Sequence, residues 1–93
     1  MSRYRITYSD AYNRRAAKFF KRHPAVLTQY QKAMSLLELD PFHPSLRLHK
    51  LEGRMSELHS VSINLSYRVV IHFLISGDEI VPVDIGDHDR VYR

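Results

Sequence analysis

The run YRVVIHFLI, Tyr67 to Ile75, constrains this chain more than any other stretch. It is the most apolar and β-branched segment of the 93 residues, and it reads as a strand at the centre of a sheet. Alternation places Tyr67, Val69, Ile71 and Phe73 on one face and Arg68, Val70 and His72 on the other. A chain of this length has material for one hydrophobic core, so residues 1–93 are expected to form a single domain around that strand.

The flanking segments supply what covers it. SRYRITYS alternates Tyr4, Ile6 and Tyr8 with Arg3, Arg5 and Thr7, the period of a first strand. Ser9 is placed to cap a helix with Asp10 in its first turn, and Tyr12, Ala16, Phe19 and Phe20 recur at helical spacing. The other side of this helix is strongly basic, with Arg14, Arg15, Lys18, Lys21 and Arg22. Pro24 ends it and suits the first position of a second helix, carried by Val26, Leu27, Tyr30, Met34 and Leu37, which should stop near Leu39 before Asp40-Pro41. PFHPSLRLHKLEGRMS reads as an ordered loop. From Glu57 the period becomes two, with His59, Val61 and Ile63 opposite Leu58, Ser60 and Ser62, then a turn at Asn64 to Ser66. Gly77 and Asp78 predict a second turn into EIVPVDI, where Pro82 calls for an edge or a bulge. The expected fold is α+β in the order β-α-α-β-β-β: two N-terminal helices packed on one face of a four-stranded antiparallel sheet, whose opposite face is partly open to solvent or a ligand.

Composition narrows the function classes. Fourteen Lys and Arg against ten Asp and Glu give a net charge of +4, which favours a polyanion or an acidic protein as partner. The absence of cysteine excludes disulfides, thiolate metal sites and a thiol nucleophile, and suits a reducing cytoplasm. The amino terminus has no apolar signal region, and the longest apolar stretch, Val69 to Ile75, is interrupted by His72, so neither secretion nor a membrane is expected. Six histidines form no HxxxH or HxH pair, so neither a metal nor another cofactor is expected.

Three clusters carry candidate chemistry. Arg68 and His72 share the open strand face; the arginine there either pairs with Glu57, Asp84 or Glu79 or binds an anion, and periodicity leaves both readings open. RLHKLEGR gathers Arg47, His49, Lys50 and Arg54 around Gly53, a solvated basic loop or a phosphate contact. The final IGDHDRVYR sets His88 and Tyr92 four residues apart, one helical turn if the tail coils. Taken together, these are the parts for cleaving RNA through its own 2′-hydroxyl: a base, an acid, fixed positive charge and an aromatic platform.

The order LHKLEG, INLSYRVVIHF, VDIGDHDRVY, after a strand and a helical hairpin, resembles the RelE/ParE superfamily of type II toxin–antitoxin toxins, in particular the RelE- and YafQ-like mRNA interferases. The resemblance implies a RelE-like microbial RNase fold. It also implies an endoribonuclease that cleaves mRNA in the ribosomal A site and is neutralised by a cognate antitoxin. It places His49 at the histidine of the YafQ-like HxLxG motif, Arg68 at the strand arginine that binds phosphate, His88 at the C-terminal acid or base, and Tyr92 at the aromatic that orients the substrate or shares in proton transfer. Lys50, Arg54, Tyr67 and His72 are the expected RNA contacts around them. Ser60 and Ser62 stand where RelE-like toxins carry lysines, and Ser62 and Ser66 where YafQ-like toxins carry a histidine and an aspartate. That shifts the expected burden to His49, Arg68 and His88, with His72 or Lys50 as helpers, or weakens the activity. The ParE branch shares the fold but inhibits DNA gyrase without cutting RNA, which is the alternative function.

Overall fold

The computed structural model describes residues 4–53, 58–74 and 77–87. Its elements run β1 (Arg5–Ile6), α1 (Asp10–Arg22), a 3-10 turn (Pro24–Val26), α2 (Leu27–Leu39), a second 3-10 turn (Pro44–Leu46), β2 (His49–Lys50), β3 (Leu58–Ser62), β4 (Tyr67–Leu74) and β5 (Glu79–Asp87). No helix among the described residues is long and apolar enough to cross a membrane.

Local signals placed most boundaries. The Ser9 hydroxyl accepts from the Tyr12 amide at 3.1 Å, capping α1 as the sequence predicts. Proline opens the second helical segment as a 3-10 turn, and α2 ends at Leu39. At the β3–β4 turn the Asn64 side-chain oxygen accepts from the amides of Ser66 and Tyr67 at 2.8 and 2.9 Å. Asp78 takes the left-handed conformation that the β4–β5 turn needs, with φ of 52°.

The sheet corrects the expected one in two respects. Among the described residues it has five strands in the order β1-β5-β4-β3-β2, and β1 runs parallel to β5, so it is neither four-stranded nor wholly antiparallel. The added strand, β2, lies within the stretch expected to be a loop. Two residues are too few to leave a period in the sequence, and β2 exists only through its pairing with β3, His49 with Ser60 and Lys50 with His59. The parallel pair escapes for another reason: alternation of two is the same whichever way the neighbour runs. Arg5 and Thr7 donate backbone bonds to the Asp78 and Ile80 carbonyls, both at 2.9 Å, and the Thr7 hydroxyl donates to Glu79 Oε2 at 2.9 Å. Pro82 satisfies the expectation of a bulge: Val70 pairs with Asp84 but Ile71 with Pro82, leaving Val83 as the extra residue.

The helices cover the face that carries Val69, Ile71 and Phe73, which join Tyr12, Met34, Leu37, Val61, Ile80 and Ile85 in the main core. The opposite face, expected to be partly open, is closed at its centre, while Arg68 and His72 on it are half-buried. Val70 is 1% exposed beneath Leu51, with Leu58 and Val83 packed beside them, and the Leu51 amide donates to the Leu58 carbonyl at 2.9 Å, which holds that leucine beside β3. Leu37 is wholly buried, and Leu37→Ala should cost about 2–5 kcal/mol in urea unfolding. Tyr12 is also buried and its hydroxyl meets that of Tyr30 at 2.9 Å. Burial pushes both phenols above their ordinary value of 10.0, Tyr12 the further. A proton held more tightly in the folded state stabilises it fully below pH about 10 and progressively less above. Stability should therefore fall from pH about 10 upward, and Tyr12→Phe should flatten that fall in urea titrations at pH 9 to 11.

Candidate functional site

Arg68 is the most constrained cation of the sheet. Its Nε donates to the Ser60 hydroxyl at 2.9 Å, and a terminal nitrogen donates to the Arg47 carbonyl at 2.7 Å and the Ser60 carbonyl at 3.3 Å. Arg47 offers that carbonyl because it ends the Pro44–Leu46 turn in the left-handed region, with φ of 48°. The guanidinium thereby ties β4 to β3 and to the segment that leads into β2. These partners fall outside the set that alternation suggested; of that set, Glu57 lies outside the described residues.

Register decides which candidates share the site. His49 pairs with Ser60, so both project to the side of Arg68, and Ser60 stands between the histidine and the arginine. Ser62 pairs directly with Arg68, and its hydroxyl donates to the Asn64 carbonyl at 2.7 Å. Ser60 is fully buried and Ser62 8% exposed, so both serines are interior groups. His72 lies further along the same face, between Leu58 and Val81. Lys50 alternates to the other side and faces His59 across the ladder. His59 itself was not singled out by sequence. Among the described residues its buried Nδ1 has no hydrogen-bond partner, and burial, then the nearby Lys50 and His49, hold its pKa below the ordinary histidine value. Arg54, His88 and Tyr92 lie outside the described residues. The tail that holds the last two begins after Asp87, which pairs with Tyr67, one step from the pairing of Gly86 with Arg68.

Tyr67 belongs to a different surface. It faces α1, where its ring meets Phe19 at 5.1 Å and His23 at 5.0 Å, and its hydroxyl lies 3.3 Å from His23 Nδ1. These three rings floor a cleft of about 390 Å³ between α1 and the end of β5. Arg15, Lys18 and Arg22 form its helix wall, and Asp84 and Asp87 its strand wall. Sequence marked five basic residues on α1; the structure shows which three turn to this cleft.

No protein-family model matches the sequence, and no curated protein does. Solved structures do match over almost the whole chain. YafQ from E. coli strain BL21(DE3) has a TM-score of 0.76 at 12% identity, covering 97% of this chain and 99% of YafQ. The YoeB/ParE toxin from Agrobacterium tumefaciens gives 0.69 at 17% identity, over 90% of this chain and 98% of that one. The RelBE2 toxin–antitoxin complex from Mycobacterium tuberculosis gives 0.68 at 15%, over 91% and 98%. At such identities the likeness speaks for the fold alone, and the fold is that of the RelE/ParE toxins.

Proposed function

We propose that the chain is the toxin of a type II toxin–antitoxin pair and acts as a metal-independent endoribonuclease on mRNA, on the ribosome and in the cytoplasm. The observation that carries the reading is the placement of His49 and Arg68 on either side of Ser60, on one face and at the strand end from which the histidine-bearing tail departs. A shared fold with YafQ and with the toxin of RelBE2 supports the toxin role, and the solved DinJ–YafQ complex suggests an antitoxin partner for this chain too.

The chemistry asked of the residues is modest. A neutral imidazole takes the proton of a 2′-hydroxyl, the 2′-oxygen attacks the adjacent phosphorus, and the departing 5′-oxygen takes a proton from an acid. In this reading His49 and His88 divide those two roles, Arg68 holds the phosphate as negative charge builds on it, and Tyr92 orients the substrate. His72 and Arg54 extend the contact surface. Ser60 takes no proton; it fixes the direction of the guanidinium through Nε.

Inducible expression in bacteria with mapping of transcript 5′ ends tests this. The parent chain should arrest growth and leave codon-phased cuts within translated regions. His49→Ala, at an exposed position, should keep the fold and slow cleavage by roughly 10²- to 10⁴-fold. Arg68→Lys keeps the charge but loses the fork that spans Ser60 and Arg47, so it should also lose activity. Intact transcripts with DNA-damage signalling would sink the RNase reading in favour of gyrase inhibition.

A further inference from the structure

The cleft beneath α1 is not used by the chemistry above, yet it is built for a ligand of defined polarity. Arg15, Lys18 and Arg22 recur at three and four residues, so they form one stripe about 10 Å long on a single helix face. Arg15 is braced, donating to the Val83 carbonyl at 2.6 Å, which holds the stripe over β5. All three basic side chains are exposed, whereas Phe19, His23 and Tyr67 on the floor are half-buried and locked ring against ring. Asp84 and Asp87 line the strand side of the same cleft, with one Asp84 carboxylate oxygen accepting from the Ile85 amide at 2.9 Å.

An acidic peptide would meet those aspartates as like charges. A nucleotide carries its negative charge in one group, the phosphate, which can sit on the cationic wall, while its base offers an aromatic face and its amino and hydroxyl groups donate hydrogen bonds. Cationic wall, aromatic floor and acidic wall match those three parts in turn. A volume of about 390 Å³ falls in the range of clefts that take small ligands.

We propose that the cleft between α1 and the end of β5 is a second RNA-binding site, which holds a nucleotide of a single strand with its phosphate on the α1 wall. The ligand class rests on the RNase reading, but binding here requires no cleavage. Tyr67 contacts RNA in this cleft and not beside Arg68. Since Asp87 lines the cleft while its neighbour Gly86 pairs with Arg68, a strand bound here ends next to the cutting face and helps fix which phosphate reaches it.

The test is fluorescence anisotropy of a labelled, 2′-O-methylated RNA decamer, which cannot be cut, against the full chain over a range of salt. Lys18→Glu/Arg22→Glu, at exposed helix positions, should weaken binding by roughly tenfold or more at low salt and reduce the log–log salt slope by roughly 1–2. Ring resonances of His23 and Tyr67 should shift when adenosine 5′-monophosphate is titrated into the parent chain. The proposal is overturned if the double variant binds the decamer like the parent, if the rings do not respond, or if duplex RNA or poly-glutamate of equal charge binds as tightly. His49→Ala separates this proposal from the cleavage reading: it should slow cutting by roughly 10²- to 10⁴-fold and leave decamer binding within about twofold. Loss of decamer binding in that variant, with its fold intact by circular dichroism, would place RNA at His49 alone and refute the second site.

Discussion

Coverage of β4 on both faces is the constraint from which the rest of this structure follows. Val69 and Ile71 are wholly buried on the helix side and Val70 is 1% exposed on the other. Each such side chain contributes about 1.5–3 kcal/mol when fully removed from water, so neither face can be left wet. The helical hairpin covers one side. The other is closed by Leu51, whose amide donates to the Leu58 carbonyl at 2.9 Å and so extends the ladder that holds a two-residue strand at the sheet edge. The same closure carries His49 to the ladder position opposite Ser60.

Polar chemistry is then confined to the strand end, where coverage stops. Arg68 is half-buried there, held by the Ser60 hydroxyl and the Arg47 carbonyl. A lysine at position 60, as RelE-like toxins carry in this region, would place a second cation in a wholly buried site beside the guanidinium. Two like charges about 4 Å apart repel by about 4 kcal/mol at an effective dielectric near 20. Serine avoids that repulsion and supplies an acceptor for Arg68 Nε, so the small residue at position 60 and the fixing of Arg68 go together. A cation held in place loses little freedom on meeting a phosphate, which favours a binding role for Arg68 over a mobile one.

Legibility in the sequence followed the range of the signal. Ser9, Pro24, Asn64 and Asp78 act through bonds within a few residues, and each stood in the sequence as it stands in the fold. The α+β order and the inward face of β4 were legible because an apolar strand and two amphipathic helices leave few ways to pack. What was not legible depends on partners distant in sequence. β2 has no pattern of its own, the direction of β1 is set by where β5 returns, and the cover over Val70 comes from a leucine inside a basic loop. Within the site, alternation put Arg68 and Ser60 on matching faces, but only the β3–β4 register brings them within 2.9 Å.

Register also explains why one strand end serves two surfaces. Tyr67 and Arg68 are adjacent in sequence, and adjacent residues of a strand point to opposite sides of the sheet. Their partners on β5, Asp87 and Gly86, are adjacent as well. At this corner a shift of one residue separates the aromatic, basic cleft beneath α1 from the face that holds His49 and Arg68. Gly86 suits the crossing: it pairs with Arg68, and without a side chain it adds no bulk beside the guanidinium while lining the cleft at the same time. The thinness of a single sheet is thus what allows a chain of this size to place basic side chains on both sides of it within one residue of the point where its tail begins.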